Sequence, residues 1–232
     1  MEYVSIKHLG RTEYSEAWEI QKRLFEELLR QKREGAPEEQ YVLFVEHPHV
    51  YTLGKSGHES NLLVNEQFLK QIGATYFHTD RGGDVTYHGL GQLVGYPILD
   101  LEHIGVSLRD YIWSIEESII RTVAEYGITA DRLEGATGVW LDPHSPRARK
   151  ICAIGVKASH FVTMHGFALN VTTDLSYFSH INPCGFTDKG VTSIEKETGL
   201  RPTLEEVEER FAAHFRARER ERGVDVSCRA AA

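Results

Sequence analysis

Apolar side chains recur at helical spacing along residues 12–34, where Tyr14, Ala17, Trp18, Phe25, Leu28 and Leu29 form one stripe and Gly35 follows as a stop. A second stripe of Tyr111, Ile112, Ile115, Ile119 and Val123 begins behind Ser107 and Asp110, a capping-box-like start, and ends at Gly127. Thr203 with Glu206 opens a third helix that would bury Leu204, Val207, Phe211 and Phe215. A shorter helix is expected over 65–72, closed by Gly73. Between these lie strand-like runs at 3–9, 41–45, 74–79, 139–141, 151–156 and 166–171. The run at 41–45 is apolar without alternation, as in a strand covered on both faces. Helix and strand signals therefore alternate, which predicts an α/β (α+β) fold with helices covering a largely antiparallel or mixed sheet. The breaker-rich stretches at 33–40 and 141–150 are short enough to be loops, so residues 1–216 read as a single domain. Residues 217–232, charged and then small, read as a frayed tail.

Composition narrows the class. The 232 residues are 41% hydrophobic and carry a net charge of −8, which argues against a broad nucleic-acid-binding surface. No apolar run approaches the ~20 residues that span a bilayer. The first sixteen residues lack the basic-then-apolar pattern of a secretory signal. Three widely spaced cysteines, Cys152, Cys184 and Cys228, make no disulfide framework and no C-x-x-C pair, and a reducing cytoplasm fits them best.

Three places invite chemistry. RGGDVTYHGLGQLVGYP (81–97) holds five glycines, an arginine, an aspartate and a histidine, yet matches neither the P-loop nor the dinucleotide fingerprint. Gly82, Gly83, Gly89 and Gly91 let a ligand approach the backbone closely. A hairpin with flexible turns stands beside that reading on residue pattern alone. Cys184 lies between Pro183 and Gly185, in a turn that can present its sulfur, whereas Cys152 lies in an apolar strand and reads as core. A reactive thiol needs a base or cation near it, and the candidates are Lys150, Lys157, His88 and His165. Strand alternation puts Lys150 on one face with Cys152, Ile154 and Val156, where burial would lower its pKa. A strand-end lysine reaching solvent is the other reading. Twelve histidines raise a metal question, but neither the His47/His49 pair nor His78 with His88 has a metal-ligand spacing, so no metal is expected.

Taken together, RGGDVTYHGLGQLVGYPILDL, RKICAIGVK, HGFALNV and INPCGFTDKGVTSI resemble the lipoyl(octanoyl) transferase family in order and spacing, over nearly the whole chain. Leu90 departs from the proline usual in the family's HGPGQ block. The resemblance implies the fold of the biotin and lipoate protein ligases. It implies transfer of an octanoyl group from octanoyl-acyl-carrier-protein to a lysine of a lipoyl domain, in 2-oxoacid dehydrogenase complexes or the glycine cleavage H protein. No cofactor is implied, and a cytoplasmic monomer is expected. Cys184 would take the acyl group as a thioester with Lys150 assisting. The acyl-binding segments would be Arg81, Gly82, Gly83, Asp84, Val85, Thr86, Tyr87 and His88, then Ala153, Ile154 and Gly155, then Gly166, Phe167 and Ala168. Val85, Tyr87, Val156 and Phe167 are the expected apolar walls, because each buried methylene contributes roughly 0.8 kcal/mol. Arg147, Arg149, Lys150 and Arg81 are the expected basic rim for an acidic carrier protein. An ATP-dependent lipoate or octanoate ligase, which would not need Cys184, and a non-catalytic lipid-binding protein are the competing readings.

Overall fold

Helix α1 (Tyr14–Glu34) follows strand β1 (Glu2–Arg11) and starts two residues later than its pattern predicts. The computed structural model describes residues 2–182, 189–221 and 226–230. Strands β2 (Gln40–Glu46) and β3 (Val50–Leu53), helix α2 (Glu66–Gln71) and strands β4 (Thr75–His78), β5 (Val85–His88) and β6 (Gln92–Ile98) come next. They are followed by helix α3 (Leu108–Ala124), then β7 (Asp131–Leu133), β8 (Ala136–Leu141), β9 (Arg149–Ser159) and β10 (Val162–Asn170). The chain goes on with β11 (Gly190–Val191), α4 (Ile194–Thr198), α5 (Leu204–Glu221) and β12 (Val226–Ala230).

The main sheet runs β12-β1-β2-β6-β10-β9-β8-β7, with β11 added beside β9, and β4-β3-β5 form a second, smaller sheet. The sheet is mixed: β1 pairs parallel with β2, while β2, β6, β10, β9 and β8 are antiparallel in turn. Period-two alternation sorts its side chains. Val42, Phe44, Leu93, Phe167 and Leu169 face α3 and α5, meeting Ile115, Ile119, Val207 and Phe211. Tyr41, Leu43, Val45, Val94, Tyr96, Met164 and Ala168 face α1, meeting Ala17, Phe25 and Leu28. Each such full burial contributes roughly 1.5–3 kcal/mol, so helices on both faces explain the unalternated apolar run in β2.

Strands β3, β6, β7, β11 and β12 escape the pattern, and β6 and β3 show why. β6 is buried throughout, so it shows no alternation, and its Gly95 and Pro97 read as breakers. Gly95 is required: a Cβ there would stand 2.3 Å from the Phe167 ring. β3 is only four residues long, directly behind His47, Pro48 and His49. Beyond Arg216, where the sequence predicts fraying, α5 continues to Glu221 and β12 pairs parallel with β1. Among the described residues no helix is long and apolar enough to cross a membrane.

Candidate active site

A cavity of about 550 Å³ opens between the start of α3, the glycine-rich loop with β5, and the neighbouring strands β9 and β10. Leu108, Ile112, Ile154, Val156 and Phe167 make its walls largely apolar. The predicted segments converge on it although up to 87 residues separate Arg81 from Ala168. Arg81 through Thr86, His88, Ala153 to Gly155 and Gly166 to Ala168 all line it, and so does Lys150. Tyr87 does not. Its ring turns into the core of the small sheet with Tyr51 and Leu53, whereas Val85, at the start of β5, belongs to that core and also reaches the cavity. There Tyr87 stacks on Tyr177 at 4.9 Å and its hydroxyl lies 2.7 Å from His49 Nδ1.

The glycine-rich loop is stitched to β9. Gly82 N–H donates to the Val156 carbonyl at 2.9 Å. A Cβ on Gly155 would come within 2.7 Å of the Gly82 carbonyl, so only glycine permits this approach. Arg81 is buried and folds back on its own loop. Its guanidinium donates to the carbonyls of Thr52, Gly82 and Asp84 and to the Thr52 hydroxyl. It therefore braces the loop and is not part of a docking rim, because a buried guanidinium is retained only where its donors are matched. Just before it, Asp80 accepts from His165 Nε2 at 2.8 Å and from Lys157 Nζ at 2.7 Å. Those donors, His165 first, hold the Asp80 carboxyl well below the usual carboxylate range. Burial pushes the His165 imidazole down, against the raising effect of the Asp80 carboxylate. His165 also holds a left-handed backbone, φ 58°, inside a strand, a strained conformation for a side-chain-bearing residue.

His88 can be assigned a tautomer by counting partners. The Gln92 side-chain nitrogen donates to the Tyr87 carbonyl at 3.1 Å and to Asn170 Oδ1 at 2.8 Å. Its oxygen is left to accept from His88 Nδ1 at 2.8 Å, so Nδ1 carries the proton. Burial, and then the nearby His47, push His88 down to about 3, so the ring is neutral. Asn170 in turn donates to the Thr192 carbonyl, and Thr192 N–H donates to the Lys150 carbonyl at 3.0 Å. A chain of amides thus joins the His88 wall to the Lys150 strand.

Lys150 is half-buried. Its Nζ donates to the Thr137 carbonyl at 3.2 Å and stands 4.6 Å above the Trp140 ring. A register irregularity between β8 and β9 falls beside it, with Trp140 opposite Lys150 and Val139 opposite Cys152. Lys150 lines the cavity while Cys152 is fully buried in the core, so the simple alternation that put them on one face does not hold. Burial pushes the Cys152 thiol well above its ordinary value, which leaves it inert. Cys184 lies outside the described residues. Of the expected rim, Arg147 is exposed, but Arg149 is engaged by Glu197 at 2.6 Å and by Asp142 at 2.6 Å. Among the described residues no three His, Cys, Asp or Glu side chains come together to hold a metal. Gln92, Asn170 and Asp80 join the site without having been singled out. The first two sit inside the quoted HGLGQ and HGFALN blocks, and Asp80 directly precedes the RGG block.

The architecture defines the class first. It is similar to a chain from a structural study of a bi-partite lipoate protein ligase and its E2 lipoyl domain from Thermoplasma acidophilum, with a TM-score of 0.71 at 14% identity over all of this chain and 87% of that one. It is also similar to the biotin protein ligase of Aquifex aeolicus, with a TM-score of 0.52 at 12% identity over 95% of this chain and 70% of that one. At such identities the likeness establishes the fold: the mixed α/β sheet shared by lipoate and biotin protein ligases. The chain belongs to the lipoyl protein ligase A/B catalytic domain family, whose model matches residues 13–216. Within reach of that family it is 58% identical to the octanoyltransferase of Bacteroides fragilis strain YCH46, over 88% of this chain and 92% of that protein.

Proposed function

We propose that the chain is an acyltransferase that moves an octanoyl group from the phosphopantetheine thioester of acyl-carrier protein to a lysine of lipoyl domains. Its identity to named octanoyltransferases supports the reaction class. The observation that carries the site is the convergence of Lys150, the glycine-rich loop and the β9–β10 segments on one apolar-walled cavity. An uncharged eight-carbon chain suits those walls, since each methylene removed from water contributes roughly 0.8 kcal/mol.

In this reading Cys184, held as thiolate by the Lys150 ammonium, attacks the thioester carbonyl and expels the pantetheine thiolate, which takes the proton from Lys150. Neutral Lys150 then accepts a proton as the lipoyl-domain amine attacks the Cys184 thioester, and the Cys184 thiolate leaves. The acceptors are lipoyl domains of 2-oxoacid dehydrogenase complexes and the glycine cleavage H protein. The enzyme acts as a cytoplasmic monomer, with residues 1–216 as one catalytic unit. The test is an intact mass after incubation with octanoyl-acyl-carrier-protein. An octanoyl adduct that is absent in Cys184→Ala is the expected outcome. ATP-dependent transfer that survives Cys184→Ala would overturn the thioester route in favour of an adenylate-forming ligase.

A further inference from the structure

Residues 54–63, GKSGHESNLL, carry no motif, yet they run as a strap between the glycine-rich loop and residues 180–182. On one side Gly54, Lys55 and Ser56 donate their backbone N–H groups to the carbonyls of Asp84, Arg81 and Gly83 in the glycine-rich loop. On the other side Leu62 bridges Ile181, Leu63 N–H donates to the His180 carbonyl at 2.9 Å, and Asn182 N–H donates to the Asn61 carbonyl at 2.9 Å. Asn182 is separated from Cys184 by Pro183 alone.

Asn61 belongs to both sides. Its backbone carbonyl holds Asn182, and its side-chain Nδ2 donates to Asp84 Oδ2 at 2.6 Å. Asp84 lines the cavity and spends its other oxygen, Oδ1, on its neighbour's N–H, Val85 N, at 2.7 Å. Every atom of the Asp84–Asn61 contact is therefore directed. A hydrogen bond to a carboxylate is stronger and more geometrically specific than one between neutral groups.

We infer that Asn61 is a positioning residue: through Asp84 and Asn182 it ties the acyl-binding loop to the residue from which the chain runs on to Cys184. The inference rests on the Cys184 thioester reading. It predicts that breaking the Asn61–Asp84 bond slows acylation of Cys184 more than it weakens octanoyl binding or folding, because misplacing a nucleophile by an ångström costs rate steeply.

The experiment follows single-turnover acylation of Cys184 in the full chain by intact mass, with octanoyl-acyl-carrier-protein as donor. Octanoate affinity and the thermal midpoint are measured alongside. Asn61→Ala and Asp84→Ala should each slow acylation about tenfold, with the double variant no slower than either, as expected for two ends of one contact. Octanoate affinity of Asn61→Ala should stay within about twofold of wild type. The exchanged pair N61D/D84N should recover most of the lost rate, because the new amide donates to the new carboxylate and keeps its oxygen for Val85 N–H. If Asn61→Ala folds poorly, the exchanged pair still decides. Wild-type rates in the single variants, or an exchanged pair no faster than the singles, overturns the positioning role. A wild-type enzyme without a Cys184 adduct overturns the thioester reading itself, and the inference with it.

Discussion

The wall around His88 and the wall around Lys150 border one cavity but are built on opposite terms. At His88 the groups are buried and hydrogen-bonded: a neutral imidazole, two amides and a guanidinium that donates to oxygens of the loop and of Thr52. At Lys150 the side chain is half-buried, and its charge rests on a carbonyl and an aromatic face. The difference separates two tasks. A buried wall whose charged groups are hydrogen-bonded within the protein suits recognition of an uncharged acyl chain and presents it no unpaired charge. A half-buried charge on the cavity lining suits the role proposed for Lys150, which is to stabilise a thiolate and exchange protons with an incoming amine.

The largest effect should come from Lys150→Met, which keeps the apolar stem over Trp140 and removes the ammonium. Single-turnover octanoyl transfer should fall about 10³-fold, in the range that loss of a general acid–base group produces. The thermal midpoint should change little. A variant that keeps transfer within tenfold of wild type would break the division of labour between the two walls.

The buried wall makes a prediction of the next size, read in stability against pH. His47 and His88 are pushed down to about 4 and about 3, in both cases first by burial. In the unfolded chain each would titrate near its ordinary value of about 6.5. Between those limits the unfolded state binds protons that the folded state refuses, so stability is full above about pH 6.5 and falls as pH drops toward 4. The slope should reach about 1.4 kcal/mol per pH unit for each buried histidine. Asp80 adds nothing in this window, because its contribution is lost only as pH falls below the ordinary carboxylate value of 3.8. Urea unfolding from pH 4 to 7.5 measures the slope, and His88→Gln should flatten it whatever it does to stability at neutral pH. An equal slope in the variant would mean that the ring is not held neutral.

Much of the candidate site was legible in the sequence. Helices α1, α3 and α5 announced themselves because each buries one face only, and the blocks around Arg81, Lys150 and Gly166 carried their glycines and charges on the surface of the pattern. β6 was hidden because Gly95 and Pro97 interrupt the apolar run of a strand buried on both faces, and only glycine at 95 leaves room for the Phe167 ring. Tyr87 was assigned to the pocket because a binding block was read as a unit, while its ring packs in the core of the small sheet against Tyr177. The partners of His88 and Asp80 were invisible for another reason. Hydrogen bonds such as Gln92 to Asn170 span 78 residues, and sequence spacing says nothing about contacts closed by the fold.

The basic rim sharpens the comparison at its smallest scale. Sequence alone grouped Arg81, Arg147 and Arg149 as one cationic edge. Folding divides them: Arg81 is spent on the loop, Arg149 is spent on Glu197 and Asp142, and Arg147 is exposed. On a chain of net charge −8, an exposed arginine beside the Lys150 strand acts on an acidic partner through encounter, and exposed charges are screened by salt. Arg147→Glu should therefore raise the KM for octanoyl-acyl-carrier-protein about two- to fivefold, leave kcat unchanged and make the reaction less salt-sensitive. Arg149→Glu should behave differently, since it faces two carboxylates at the start of β9: it should lower the thermal midpoint and kcat as well. Equal kinetic signatures for the two variants would return both arginines to a single rim and erase the distinction between charges that hold the site and charges that greet its partner.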